Sequence, residues 1–222
     1  MTWEVIEYHL KELEIAQDAN DPRRVLPEIL PSDRIILDIG CGIGQTFLAL
    51  NCTDRVCVGI DNDEAAINYG ARNYGGRIQF IFSDAARIPM PSNLFDLVYS
   101  RVSLPYTNIP RVVREIRRVL RSGGRIWMTL HSKTMAGRYL RESIKARDPK
   151  SFIHRAYTLI NGYCLKYFGF IFPFVDGSYE SWQDAASIKK ILSSNGFEAA
   201  IVKVGRHTVI EGTLHKNAAC NE

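Results

Sequence analysis

A chain of 222 residues, 46% of them hydrophobic, can bury one sizeable core and has the size of a single α/β domain. Its 28 basic and 24 acidic residues leave a net charge of +4, a mixed balance that does not call for nucleic acid as a partner. The five cysteines (41, 52, 57, 164 and 220) form no Cys-x-x-Cys pair, no zinc-ligand spacing and no Cys-x-x-x-Cys-x-x-Cys cluster signature, so no metal site and no radical chemistry is expected.

The N-terminus carries no basic region and no apolar signal core, so a cytoplasmic location with reduced cysteines is the expectation. Residues 1–20 read as an amphipathic helix with Trp3, Ile6, Leu10 and Leu13 on one side. Pro22, Pro27 and Pro31 then close an N-terminal segment, 1–31. Ile35, Ile36 and Leu37 form an apolar strand that runs into a loop with glycines at 40, 42 and 44. A helix is expected from Gln45. Strand, glycine loop and helix together let backbone N–H groups approach a ligand, with the positive end of a helix dipole behind them. The Gly-x-Gly-x-Gly spacing differs from the Gly-x-Gly-x-x-Gly of dinucleotide enzymes, which argues against a nicotinamide oxidoreductase. Asp38, before the first glycine, would repel a pyrophosphate and attract a ligand with a positive amino group.

A second apolar run, 55–60, ends on Asp61, which lies 19 residues past Gly42. An acid at that place can accept hydrogen bonds from ribose hydroxyls. Asn62 or Asp63 can cap the helix that follows. The third run, 77–82, leads to Ser83, Asp84 and Ala85; the fourth, 95–99, leads to Ser100. Asp84, at a strand's C-terminal edge, suits an exocyclic amine donor. Ile109, Val112, Val113, Ile116, Val119 and Leu120 follow helical spacing, which leaves the arginines between 111 and 121 on a solvent face. The fifth strand is expected at 125–130. Strands alternating with helices over 32–132 imply a parallel sheet.

These motifs together resemble the class I S-adenosylmethionine-dependent methyltransferases: Leu37 to Gly44, Gly59-Ile-Asp61, Ser83-Asp-Ala85, Phe95-Asp-Leu-Val98 and Leu120-Arg-Ser-Gly-Gly124, in the family's order. The look is nearest to the small-molecule group that includes the ubiquinone and menaquinone methyltransferases. The resemblance covers roughly 30–132, with a weaker tail at 181–212. It implies a Rossmann-like, doubly wound, seven-stranded, mostly parallel sheet with a helical insertion after the fifth strand. It also implies S-adenosyl-L-methionine as cofactor and S-adenosyl-L-homocysteine as product. Gly40, Cys41 and Gly42 would line the methionine portion, with the acid Asp38 beside them. Asp61 would hold the ribose, and Asn62, Asp84 and Ala85 would face the adenine. Ser100 would present its backbone near the methionine end.

Residues 133–180 interrupt the alternation, and by the resemblance such segments fold over the active site as a cap. The segment opens basic and turns aromatic from Phe152 to Phe174, with Asn161, Gly162, Lys166 and Gly169 breaking an apolar run too interrupted to span a membrane. An apolar lid, a dimer contact or a membrane-surface contact through 152–175 is expected of it. Residues 181–212 resume the fold, with a capping box at Ser181 to Asp184, a C-cap glycine at Gly196 and two strands. The last ten residues should fray.

The reaction implied is methyl transfer to an O, N or C nucleophile of a small, partly apolar or aromatic acceptor. A carboxylate acceptor needs no base, whereas a phenol or protonated amine must lose a proton. His131 at the end of the fifth strand, Tyr106 after the fourth and, third, His154 are the candidate catalytic residues. The place after the fourth strand reads Tyr99-Ser-Arg-Val102 rather than an Asn/Asp-Pro-Pro-aromatic motif, which disfavours nucleobase amines and leaves RNA carbon or ribose targets open. A non-catalytic cofactor-binding or interaction protein of the same fold is the other alternative.

Overall fold

A computed structural model describes residues 2–52 and 54–215. The strands are β1 (Ile35–Ile39), β2 (Val56–Asp61), β3 (Ile78–Phe82), β4 (Phe95–Ser100), β5 (Leu120–Leu130), β6 (Phe197–Val204) and β7 (His207–Leu214). They form one sheet in the order β3-β2-β1-β4-β5-β7-β6. Strands β1 to β5 pair in parallel, and β7 runs antiparallel between β5 and β6. The expected doubly wound, mostly parallel sheet is therefore present. Its strand order reverses between β1 and β4, and the crevice outside their carboxyl ends is where such sheets bind ligands.

The apolar runs are strands because helices cover both faces of the sheet. All six residues of β4 are buried. Alternation along β1 sends Leu37 and Ile39 into one core, with α4 (Ile109–Val119) and α7 (Ala185–Ser194). Ile36 enters the other, with Phe47 of α2 (Gln45–Leu50), Tyr99 and Trp127. A third, small cluster joins Ile6 of α1 (Thr2–Gln17) to Ile43 and Ala66, and Ala66 belongs to α3 (Glu64–Tyr74).

Some boundaries differ from the sequence reading. Strand β5 starts at Leu120, directly at the end of α4, and its register against β4 shifts between Phe95 and Leu97. Gly123, at φ 76°, lets the chain make that irregular start, so Leu120 is the first strand residue rather than the last of the helical face. The arginines between 111 and 121 are not all solvated. Arg118 donates to the carbonyls of Ile88 and Met90 and pairs with Glu115, and Arg121 pairs with the buried Asp96. Ser181 is not a helix cap. It is buried with its N–H on the Pro105 carbonyl, and Asp184 caps α7 through the Ser187 N–H. Gly196, at φ 85°, does end α7 as expected. Of the ten residues expected to fray, Thr213 and Leu214 belong to β7, and 216–222 lie outside the described residues.

The insertion is a helical hairpin followed by an extended strap. Ser132 caps α5 (Lys133–Lys145); Asp148, with Pro149 after it, caps α6 (Pro149–Phe168). The strap, 169–184, is clamped to α6 by Asn161. The Asn161 amide is fully buried; it donates to the Phe172 and Glu180 carbonyls and to the Tyr157 hydroxyl, and accepts from the Phe172 N–H. Gly162 makes room for Trp182, whose ring would lie 2.2 Å from an added Cβ. Leu165 and Ile171 enter the main core, so the insertion shares the hydrophobic centre of the sheet. The aromatic run does not face inward as a whole. Tyr157 is buried, whereas Phe152, Tyr167, Phe168 and Phe170 are exposed, the kind of apolar surface that invites association. No helix among the described residues is long and apolar enough to cross a membrane.

Candidate active site

The glycine loop sits at the carboxyl end of β1, under α1. Gly40 has φ 73° and touches Ser103, whose Cβ would be 2.0 Å from an added Cβ. Gly42, at φ 54°, is covered by His9 of α1, whose Nδ1 would be 2.3 Å from an added Cβ. The glycines therefore serve close approach from both sides. Their N–H groups are not left for a ligand. Gly40 and Cys41 both donate to the Ile60 carbonyl, at 2.8 and 3.0 Å, and Gly42 donates to Asp61 Oδ2 at 2.8 Å. The loop saturates its own donors because a tight turn this well buried could not leave them unpaired.

Asp61 ends β2 and lies at the centre of the arrangement. Besides Gly42 it accepts the Asp63 N–H at 3.0 Å, and burial raises its carboxyl from the ordinary value. Helix α3 is capped by Asp63, through the Ala66 N–H, which leaves Asp61 free for a ligand. A cavity of about 570 Å³ opens beside it, within the range of small-ligand sites. Gly40, Asp61, Asn62, Asp84 and Ala85 line this cavity. Asp84 is held by the Ala86 N–H at 2.8 Å. The opposite wall comes from the insertion: His154, Ser178, Tyr179 and Glu180. Glu180 pairs with Arg155 at 3.1 Å and with His154 Nδ1 at 3.5 Å.

Besides Gly42, which His9 covers, three expected residues lie beneath the cavity instead of in its wall. The Cys41 side chain is buried against Gly59, which places its sulfur away from the ligand side. The Ser100 hydroxyl is within 2.9 Å of the Ser103 hydroxyl and accepts the Leu104 N–H, so Ser100 supports the wall that Ser103 forms. Asp38 is 1% exposed, and neither carboxylate oxygen has a hydrogen-bond partner among the described residues. The Tyr99 hydroxyl is nearby but outside hydrogen-bond geometry. Burial pushes the Asp38 carboxyl up to about 8, against the smaller opposing pull of Tyr99 and Arg101. An unpaired carboxylate directly under a glycine loop fits a ligand that brings a cation to that loop.

A second cavity, about 470 Å³, lies between α1 and the loop, walled by Tyr8, His9, Glu12, Gly40, Arg101 and Tyr106. Arg101 is buried and its Nη2 is 2.7 Å from Glu12 Oε2, which pins α1 across the site. Sequence reasoning missed Tyr8, His9, Glu12, Arg101 and Ser103. The helical spacing of α1 marked only its apolar side, and no local pattern links Glu12 to Arg101.

Tyr106 and His131 meet edge to face, with ring centroids 5.7 Å apart. Burial, and then Glu180, push the Tyr106 hydroxyl up to about 12, so it keeps its proton at neutral pH. Burial, and then His207, push His131 down to about 4, so its ring is neutral and able to accept a proton. Gln183 fixes the His131 backbone through two hydrogen bonds, at 2.8 and 2.9 Å.

The 3-2-1-4-5-7-6 sheet, with a glycine loop after β1 and an acid ending β2, is the fold that the resemblance to class I S-adenosylmethionine-dependent methyltransferases implied. Comparison with known proteins agrees. Residues 37–128 match the family model described as a methyltransferase domain. An uncharacterised methyltransferase, YcgJ of Bacillus subtilis, is 30% identical over 101 residues, 43% of this chain and 40% of that protein. A demethylmenaquinone methyltransferase of Symbiobacterium thermophilum is 32% identical over 120 residues, 50% of this chain and 47% of that protein. The matched stretch thus spans less than half the length of either relative. The YcgJ crystal structure superimposes with a TM-score of 0.60 at 15% identity, covering 95% of this chain and 100% of that one. The magnesium protoporphyrin IX methyltransferase from Synechocystis, solved with S-adenosylhomocysteine bound, gives a TM-score of 0.53 at 17% identity, covering 82% and 74%.

Proposed function

We propose that this chain transfers the methyl group of S-adenosylmethionine to a nucleophilic atom of a small, partly apolar acceptor. The observation that carries the reading is the unpaired, buried Asp38 carboxyl under a glycine loop whose outer side opens into the cavity at Asp61. The bound cofactor supplies an electrophilic methyl on a cationic sulfur. The rest is work for the chain's own residues. Asp61 would accept the ribose hydroxyls, since both its oxygens keep lone pairs after bonding Gly42 and Asp63. Asn62, Asp84 and Ala85 would border the adenine. Gly40 leaves space for the methionine portion, with Asp38 below, where a cation brought to the loop would draw its raised carboxyl down and ionise it.

Helix α1 and the insertion close two sides of the crevice and exclude water, which favours alignment as the main source of rate. Tyr106, protonated, would present its ring and hydroxyl at the transfer point. His131 would take the proton of a phenol or amine acceptor; a carboxylate acceptor would need no base. The test is calorimetry with S-adenosylhomocysteine and with NAD, followed by a search for methylated products in a metabolite extract by mass spectrometry. Binding of NAD in place of the homocysteine compound would overturn the reading.

A further inference from the structure

A third cavity, about 700 Å³, lies on the far side of Tyr106 from the adenosine end. Its walls are α1, the carboxyl ends of β4 and β5, the start of β7 and the first turn of α5. Five arginines line it, Arg23, Arg101, Arg138, Arg141 and Arg206, against one carboxylate, Glu12. Arg23 is occupied by Asp21 at 2.6 Å. Arg138 has only a loose pair with Glu142, at 3.7 Å. Arg141 and Arg206 make no ion pair among the described residues.

The charge is also unsatisfied at depth. Arg101 is 4% exposed, and its Nε–H has no acceptor among the described residues, although Glu12 holds its Nη2. His207 Nε2, on the same wall, is likewise buried without a partner. A buried guanidinium edge left unpaired costs free energy that an oxyanion in the cavity would recover. The first turn of α5, with Ser132, Thr134 and Met135 in the wall, adds the positive end of a helix dipole.

We propose that the methyl acceptor carries an anionic group, a carboxylate or a phosphate, which docks among Arg101, Arg141 and Arg206 while its nucleophilic atom reaches past Tyr106. The anion is a handle and not the methylated atom. Tyr106 lines this cavity, the one at Asp61 and the second one between α1 and the glycine loop, so a molecule seated on the arginines reaches the transfer point. His131 stands on the same wall, where an anion favours the imidazolium that forms when its ring takes a proton. The proposal rests on the methyl-transfer reading and names the acceptor class for that site.

The test uses the full chain at fixed chloride concentration. Benzoate, inorganic phosphate and the neutral ester methyl benzoate are titrated by calorimetry, with and without saturating S-adenosylhomocysteine. Benzoate or phosphate should bind and the ester should not, and whichever anion binds identifies the handle. The Arg141→Gln, Arg206→Gln double variant should weaken that binding about tenfold or more, the weight of a charge-assisted hydrogen bond. Its affinity for S-adenosylhomocysteine should stay unchanged. The conservative Arg101→Lys should also weaken the anion, because an ammonium cannot supply the Nε edge. Equal binding of ester and anion, or wild-type anion affinity in the double variant, would overturn the proposal. So would an RNA oligonucleotide that binds this face and that small anions fail to displace. Failure of the homocysteine compound to bind would sink the methyl-transfer reading instead. Its binding without any anion binding sinks only the acceptor class.

Discussion

Replacing Asp38 by Asn removes a buried acid and keeps its shape. The wild-type carboxyl has an ordinary value near 3.9 when unfolded and about 8 when folded. Between those values the folded chain binds a proton that the unfolded chain does not. Stability from this group is therefore fully present below about pH 4, falls as pH rises, and levels off above about pH 8. At pH 7 the penalty is about three pH units at 1.36 kcal/mol each, on the order of 4 kcal/mol. Asp38→Asn should recover much of it. Urea unfolding without cofactor should show the variant more stable at pH 8 than the wild type, with the difference shrinking toward pH 5. The same variant should bind S-adenosylhomocysteine more weakly, because a cationic amino group brought to the loop draws the Asp38 carboxyl down and ionises it, which an amide cannot follow. A variant with unchanged stability at pH 8, or with the same pH slope as the wild type, would refute an unpaired acid at this place.

Other substitutions probe separate parts of the site. Asp61→Ala should weaken cofactor binding by about 1.5–3 kcal/mol through loss of a charged acceptor, and calorimetry showing parental affinity in a folded variant would count against the assignment. Gly40→Ala should abolish cofactor binding, because its Cβ overlaps Ser103 at a positive φ; a thermal-shift response to S-adenosylhomocysteine in that variant would contradict it. His131→Ala should lower kcat roughly 10²–10⁴-fold for a phenol or amine acceptor, and the acid limb of the wild-type kcat/KM profile should lie near pH 4, not near neutrality. Asn161→Ala should destabilise the chain by about 2–4 kcal/mol, as several buried hydrogen bonds go at once, with hydrogen exchange rising first in the strap.

Much of this was legible in the order of residues because it is local. Apolar runs, glycines at fixed offsets and an acid 19 residues on specify the strands, the loop and Asp61 without reference to the rest of the chain. The cavity wall at Asn62, Asp84 and Ala85 follows from the same signals. What was not legible depends on distant pairs. Arg101 and Glu12 are 89 residues apart, and only folding brings them together. The loop's N–H groups looked available from the glycine spacing, yet Ile60 and Asp61 of the next strand take them. The sequence left the rings of the insertion open between a lid, a dimer contact and a membrane-surface contact. Helical spacing instead shares them between a core side, marked by Tyr157 and Leu165, and an outward side that carries Tyr167 and Phe168.

Tyr106 lines both the cavity at Asp61 and the arginine-lined chamber, so anything that moves this ring is felt on both sides. Thermodynamic linkage then requires reciprocity: an occupant of the arginine-lined chamber that changes affinity for the adenosyl compound must have its own affinity changed by the same factor. Leu104–Tyr106, a short turn fixed at its base by the Ser100 and Ser103 hydroxyls, holds the ring in that shared position.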